Sequence, residues 1–134
     1  MRRFPMLFVA PLLAFCATAS GQDCVAETSQ TGMNLCAQQA YEATDGELNA
    51  AYRQIDQRMA DDPDGRKRLV AAQRAWIAFR DAECAFSTAP AEEGSIHPML
   101  VADCLATLTQ ARLEQFEIYL DCEEGDLGCP VPAP

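Results

Sequence analysis

Apolar side chains recur at steps of three and four along three stretches of the chain, which predicts three amphipathic helices. The first covers residues 29–60, and its apolar stripe consists of Met33, Cys36, Ala40, Tyr41, Thr44, Leu48, Ala51, Tyr52, Ile55 and Met59. The second covers residues 64–86, with a stripe of Leu69, Ala72, Trp76, Phe79 and Phe86. The third runs from an N-cap at Ser95 to about residue 121, with a stripe of Val101, Leu105, Leu108, Phe116 and Tyr119.

Turn-forming residues separate these helices. Asp-Asp-Pro-Asp-Gly at positions 61–65 ends the first helix and caps the second, and residues 87–94 form a loop of small and acidic residues. No stretch alternates apolar and polar residues as a strand would. We therefore predict an all-α domain over residues 22–121, a three-helix bundle packed up-down-up with Trp76 in its core. Residues 122–134 are predicted to be an irregular tail, held at most by its own cysteines.

The N-terminus has the pattern of a secretory signal peptide. Two arginines precede an apolar stretch of residues 4–15, and small residues follow, so residues 1–21 are predicted to be removed after Ala19 or Gly21. An uncleaved membrane anchor is the alternative, but the stretch is shorter than the roughly 20 residues of a membrane span, and Pro5 and Pro11 interrupt it. Phe15 is too bulky for a lipobox before Cys16. We expect a periplasmic or secreted protein without membrane insertion after cleavage.

Charge restricts the class of partner. The chain has 20 Asp and Glu against 10 Lys and Arg, a net charge of −10, and removing the signal peptide brings it to about −12. Nucleic acid is excluded as a partner because phosphate binding needs a basic surface. A strongly acidic protein of this size favours basic protein partners, unless the charge serves only solubility.

Six cysteines follow the signal peptide: Cys24, Cys36, Cys84, Cys104, Cys122 and Cys129. An even number in an exported protein predicts three disulfides. In an up-down-up bundle, Cys36 and Cys104 lie at similar positions along the bundle axis, and Cys24 and Cys84 lie near the same end. These positions favour Cys36–Cys104 and Cys24–Cys84 over the two other pairings of these four cysteines. The remaining pair, Cys122–Cys129, then lies in the tail. No pair has CxxC spacing and His97 is the only histidine, so we predict neither a metal nor a cofactor.

Two charged residues interrupt the apolar stripes, Asp45 in the first helix and Arg112 in the third. A charge that faces a core must be paired, and the two lie at similar heights, so we predict an ion pair between them. Arg80, Gln73 or Asn49 would complete its hydrogen bonds. We interpret this network as structural.

The same sequence offers little for catalysis. His97 stands alone beside Pro98 at a helix start, and no two carboxylates are singled out as a glycosidase pair. The Asp-rich turn at 61–65 lacks the alternating ligands and distal glutamate of an EF-hand. We therefore predict no catalytic residues and no enzyme activity.

Several motifs together resemble the LprI-like lysozyme inhibitor family of bacterial envelope proteins. The matching positions are Ser29-Gln30, Met33-Asn34, Cys36-Ala37, Asp45, Leu48-Asn49, Tyr52, Gln73-Arg74-Ala75-Trp76, Arg80-Asp81, Cys84, Gly94-Ser95, Cys104, Thr109 and Arg112. The resemblance implies a small helical exported domain and, for some members, inhibition of lysozyme. The sequence departs from the family at Gly32, where an acidic residue is common, and in its cysteine-containing tail.

The leading expectation is therefore an inhibitor that binds a basic lysozyme and blocks peptidoglycan hydrolysis by occluding its substrate cleft. The candidate contact segment is the loop with Glu92, Glu93 and Ser95. The alternative is a non-inhibitory interaction or regulatory module of the envelope built on the same scaffold.

Overall fold

Three long helices account for most of the described structure, a computed structural model that describes residues 24–134. Helix α1 spans Gln30–Arg58, α2 spans Pro63–Thr88 and α3 spans His97–Leu120, with one 3₁₀ turn, Ala89–Ala91, after α2. No strand occurs within residues 24–134. The all-α, three-helix prediction is confirmed, with boundaries within about two residues of those expected. The predicted signal peptide, residues 1–21 with its cleavage sites at Ala19 and Gly21, lies outside the described residues.

Side-chain caps fix the first two helix starts but not the third. The Ser29 hydroxyl accepts from the amide of Gly32 at 3.1 Å, and Asp62 accepts from the amide of Gly65 at 2.9 Å. The prediction that Ser95 caps α3 is wrong, because α3 begins at His97 behind Ile96 and has no side-chain cap. Ile96 is already in the helical region, so no extended residue precedes the helix to place a side chain over its first amides.

Helices α1 and α3 run in the same direction and form the main core. Near one end the Asn34 amide donates to the carbonyl of Ser95 at 3.0 Å, and near the other the Arg58 guanidinium donates to the carbonyl of Leu120 at 2.8 Å. The buried cluster between them consists of Leu48, Ala51, Ile55, Met59, Leu113, Phe116 and Val131. Phe116 and Ile55 are fully buried, and an apolar seam of this kind is the dominant favourable term for a small helical domain.

Helix α2 packs on the bundle through a narrower stripe than the sequence indicates. Trp76 packs against the core cluster but is only partly buried, whereas Phe79 is 55% and Phe86 is 78% exposed, so the assignment of these two rings to the core is wrong. From Trp76, a step of three leads to Phe79 and a step of four to Arg80. The buried face of α2 contains Arg80 and not Phe79, because its buried residues are Arg80, Cys84 and Thr88.

The tail contributes to the core, which the sequence analysis did not predict. Its residues have no helix or strand, as expected, but Val131 is only 3% exposed and belongs to the core cluster. The segment folds back because the disulfide between Cys122 and Cys129 closes a short loop. Val131 then lies beside Ile55 and Met59 at the end of α1.

Two of the three disulfides differ from the expected pairing. Cys24 is joined to Cys36, and Cys84 to Cys104, whereas Cys122–Cys129 is as predicted. The prediction compared heights along the bundle and ignored the face that each cysteine occupies. Cys36 faces the segment that precedes α1, while Cys104 faces the end of α2, where its sulfur lies 3.6 Å from the hydroxyl of Ser87.

Candidate partner-binding surface

The buried guanidinium of Arg80 is the centre of the polar network. Only 8% of Arg80 is exposed. Its Nε donates to Asp81 at 2.9 Å, and Nη1 donates to Asp45 at 3.5 Å and to the Thr109 hydroxyl at 3.4 Å. Asn49 donates to the other oxygen of Asp45 at 2.8 Å. A buried cation is tolerated here because two carboxylates and a hydroxyl replace its hydration.

The predicted Asp45–Arg112 ion pair is wrong. Arg112 instead donates from Nε to the side-chain oxygen of Gln73 at 3.1 Å, and its guanidinium carbon lies 4.5 Å from the ring centre of Phe116. Equal height on two helices did not mean that the side chains share a face. Burial lowers the pKa of the Arg112 guanidinium.

The predicted network therefore divides into two neighbouring groups. Asp45 and Asn49 meet Arg80, while Gln73 meets Arg112. The indole ring of Trp76 lies between the groups, 5.1 Å from the guanidinium carbon of Arg80 and 6.0 Å from that of Arg112. Trp76 therefore packs against the apolar core cluster and is also within cation–π distance of two guanidinium groups.

A cleft of about 470 Å³ lies above this network and receives residues from all three helices. Its lining consists of Tyr41, Arg80, Asp81, Cys84, Ala85, Thr88, Ala89, Glu92, His97, Val101 and Leu105. Burial raises the pKa of the Tyr41 phenol, and the charge of nearby Arg80 partly opposes that shift. The sequence analysis found most of the polar residues but not the cleft, since it forms between helices distant in sequence.

The histidine in this cleft makes a structural contact. His97 Nε2 lies 3.2 Å from the Thr88 hydroxyl, which donates its proton to the carbonyl of Cys84 at 2.7 Å. Because that proton is engaged, Nε2 must carry the hydrogen and donate to Thr88. In this tautomer His97 does not act as a base toward Thr88, so the pair lacks the arrangement of an activated nucleophile.

Charge is unevenly distributed along the chain. Residues 24–52 contain Glu27, Glu42, Asp45 and Glu47, residues 81–111 contain Asp81, Glu83, Glu92, Glu93 and Asp103, and neither segment contains a lysine or arginine. We call these two segments, which include most of α1, the last turns of α2 and the first part of α3, the acidic pole. Its neighbouring cation, Arg80, is buried and paired. The other cations lie mostly in residues 53–74, at the end of α1 and the start of α2.

The loop singled out from the sequence belongs to this acidic pole. Glu92, Glu93 and Ser95 are exposed, and Glu92 stands at the rim of the cleft. The hydrogen bond from Asn34 to the carbonyl of Ser95 ties the loop to α1. Asp81, which the sequence analysis did not single out as a contact, lines the same cleft with its side chain 57% exposed.

A family model described as lysozyme inhibitor LprI matches residues 22–116. The chain belongs to the LprI lysozyme-inhibitor family. It is also 38% identical over 128 residues to an uncharacterized protein of Rhizobium meliloti (strain 1021). This alignment covers 84% of this chain and 92% of that protein. No solved structure gives a significant match. The LprI match includes the polar network, the cleft and the acidic pole, and ends before the tail.

The departure from the LprI pattern at Gly32 has a structural counterpart. A Cβ atom at position 32 would overlap the carboxyl group of Glu27, which lies over the first turn of α1. Glu27 accepts from the amides of Thr28 at 2.9 Å and Ser29 at 2.7 Å. Negative charge at this helix start, favourable to the helix dipole, therefore comes from Glu27 instead of from residue 32.

Two further properties concern only residues 24–134. No group of three or more histidine, cysteine or acidic side chains there is arranged to hold a metal ion. No helix of this part is both long and apolar enough to cross a bilayer.

Proposed function

We propose that this protein is an exported inhibitor that binds a lysozyme through the acidic pole and occludes the substrate cleft of that enzyme. The observation that carries the proposal is the distribution of charge: residues 24–52 and 81–111 contain nine carboxylates and no lysine or arginine, and two of these carboxylates, Asp81 and Glu92, line the cleft. Membership of the LprI family supports lysozyme as the basic partner.

Complementary charge acts mainly on the rate of association and on the choice of partner. A surface of one sign attracts a basic protein over about one Debye length, roughly 8 Å at physiological ionic strength. The final contact needs groups that protrude, and Glu92 at the rim of the cleft and its neighbour Glu93 are both exposed. We propose that these carboxylates pair with cationic side chains beside the substrate cleft of lysozyme, so that the bound inhibitor excludes the polysaccharide.

Export is part of the same proposal. Three disulfides fit an oxidising compartment outside the cytoplasm, and the signal-peptide pattern of residues 1–21 supports delivery to the periplasm or the medium. Lysozyme acts in those compartments on peptidoglycan. Processed and oxidised protein is therefore the form to be tested.

Clearing of a bacterial cell-wall suspension by lysozyme measures the proposed activity. The wild-type protein is expected to slow clearing in a dose-dependent manner, and more weakly as salt increases. Full clearing at a large excess of inhibitor, with several types of lysozyme, would remove the proposal and leave a non-inhibitory envelope module. In that outcome the partner would be sought in envelope extracts.

A matched pair of variants tests the contact surface. Glu92→Gln with Glu93→Gln removes two adjacent exposed charges from the acidic pole, whereas Glu123→Gln with Glu124→Gln removes two from the tail. Both variants change the net charge equally. We expect the first to raise the concentration for half-inhibition about tenfold, since each contact charge contributes roughly 0.5–1 kcal/mol, and the second to change it less than about twofold. Equal effects would show that only net charge matters.

A further inference from the structure

The outer face of α2 is more apolar than an exposed helix face should be. Phe79 and Phe86 are 55% and 78% exposed, and one exposed alanine row accompanies them, Ala71, Ala75, Ala78 and Ala82. Steps of three and four place this row on one side of the helix, opposite the buried Arg80, Cys84 and Thr88. A helix at a protein surface normally presents charged and polar side chains there, and a contiguous apolar patch marks an interaction site.

When two copies of α2 lie antiparallel, the large residues on this face of one copy meet the small residues of the other. If a second copy of α2 lies antiparallel, with the centre between Ala78 and Phe79, then Phe86 of each copy lies opposite Ala71 of the other. In the same register Phe79 lies opposite Ala78, and Ala75 opposite Ala82. Each ring therefore meets a small residue, which permits close approach of the helices. A parallel pairing would place ring against ring.

Charge along α2 has the same reversed symmetry. The first half of the helix carries the exposed Lys67, Arg68 and Arg74, whereas the second half carries the exposed Asp81 and Glu83. In the antiparallel register Arg74 of one copy lies beside the segment from Asp81 to Glu83 of the other, and the contact occurs twice by symmetry. A parallel pairing would oppose like charges, which is unfavourable.

We propose that the outer face of α2 is a homodimer interface, in which two copies of this chain pair through antiparallel α2 helices about a two-fold axis near Ala78. One helix face is small for an interface, so we expect a weak dimer with a Kd on the order of 10 μM. The proposal rests on Phe79, Phe86 and the alanine row, none of which lines the cleft, and so does not require lysozyme, although Asp81 and Glu83 belong both to this interface and to the acidic pole.

Sedimentation velocity of the processed, oxidised protein across its concentration range tests the self-association. We expect the weight-average sedimentation coefficient to rise with concentration and Phe79→Ser with Phe86→Ser to abolish that rise. Ile118→Ser, which changes an exposed apolar residue of α3 that is 64% exposed, is the matched control and should dimerise normally. A wild-type protein that stays monomeric up to about 1 mM would overturn the proposal, as would a double variant that dimerises like the wild type.

A cysteine near the two-fold axis tests the orientation. Ala78→Cys should form an intermolecular disulfide under mild oxidation at concentrations where the dimer exists. Ala43→Cys, at an exposed alanine of α1, should not. Circular dichroism and peptide mapping would verify the fold and the three native disulfides in both variants. Dimerisation without cross-linking of Ala78→Cys, or equal cross-linking of both variants, would contradict the antiparallel pairing.

Discussion

Arg80 lies 3.5 Å from Asp45, and this ion pair joins α2 to α1 at the floor of the cleft. Helices α1 and α2 otherwise make few direct contacts, because each packs mainly on α3. The same guanidinium also donates to Asp81 and to the Thr109 hydroxyl, so Arg80 links all three helices. The polar network thus holds two carboxylates of the acidic pole, those of Asp45 and Asp81, in contact with Arg80.

Removing the guanidinium of Arg80 should destabilise the fold more than removing that of Arg112. We expect Arg80→Met to lower the free energy of unfolding by about 3 kcal/mol, because it leaves Asp45 and Thr109 without their charged partner. Arg112→Met should cost only about 1 kcal/mol, since Gln73 loses one hydrogen bond and a methionine retains contact with Phe116. Urea denaturation of both variants measures the difference. A larger loss at Arg112 would contradict the assignment of Arg80 as the central cation.

The disulfide between Cys84 and Cys104 should stabilise the protein more than the one between Cys24 and Cys36. The first ties α2 to α3 and includes the fully buried Cys84, whereas the second joins the segment before α1 to Cys36 near the start of that helix. Replacing both cysteines of the first by serine should cost about 4 kcal/mol, and the same change in the second about 2–3 kcal/mol. Guanidinium chloride midpoints of the two variants give the order. Equal midpoints would show that the cross-link between α2 and α3 stabilises the protein no more than the one at the start of α1.

The tail should contribute to stability through one side chain. Val131→Ala removes two methyl groups from the core cluster and should lower the free energy of unfolding by about 1–2 kcal/mol. Leu127→Ala, in the same tail but fully exposed, should leave it within about 0.5 kcal/mol of wild type. Thermal denaturation followed by circular dichroism distinguishes them. An unchanged midpoint for Val131→Ala would mean that the tail does not pack on α1.

The ion pair between Asp56 and Arg66 should make stability depend on pH. A hydrogen bond from Arg66 lowers the pKa of the Asp56 carboxyl in the folded protein. The pair therefore stabilises the fold above the pKa of an unfolded aspartate, about 3.9, and this contribution is lost as pH falls through the lower folded pKa. Asp56→Asn should lower Tm at pH 7, and the difference from wild type should disappear in strong acid. Asp103→Asn, an exposed aspartate of α3, is the control, and an equal pH response there would refute the assignment.

Much of the helical architecture was predictable from local pattern. Steps of three and four marked α1, α2 and α3, and Ser29 and the Asp-rich turn at Asp62 marked two helix starts. These features depend on neighbours within one helical turn, so the linear order of residues contains them. The exposure of Glu92 and Glu93 in the candidate loop could be predicted for the same reason, since a short run of small and acidic residues is typical of an exposed loop.

Contacts between side chains of different helices were harder to predict from the sequence. Asp45, Arg80 and Arg112 were predicted to form one network, but the predicted pair joined Asp45 to the wrong arginine, and the predicted disulfides joined Cys36 and Cys104 to each other instead of to their true partners. Apolar character also misled at Phe79, because a helix can turn either of two adjacent positions toward its neighbour. The choice of Arg80 over Phe79 as the buried residue depends on carboxylates supplied by α1 and by Asp81.

Local order along the chain thus accounts for three helices, an acidic composition and an even set of cysteines. The rotation of each helix about its own axis accounts for which arginine meets Asp45, which sulfurs of α2 and α3 meet and where the cleft opens, and the fold-back of the tail accounts for the burial of Val131. That rotation is determined by contacts between residues far apart in sequence. The apolar period of one helix defines its buried stripe only to within one position, and these contacts decide which of two adjacent positions is buried.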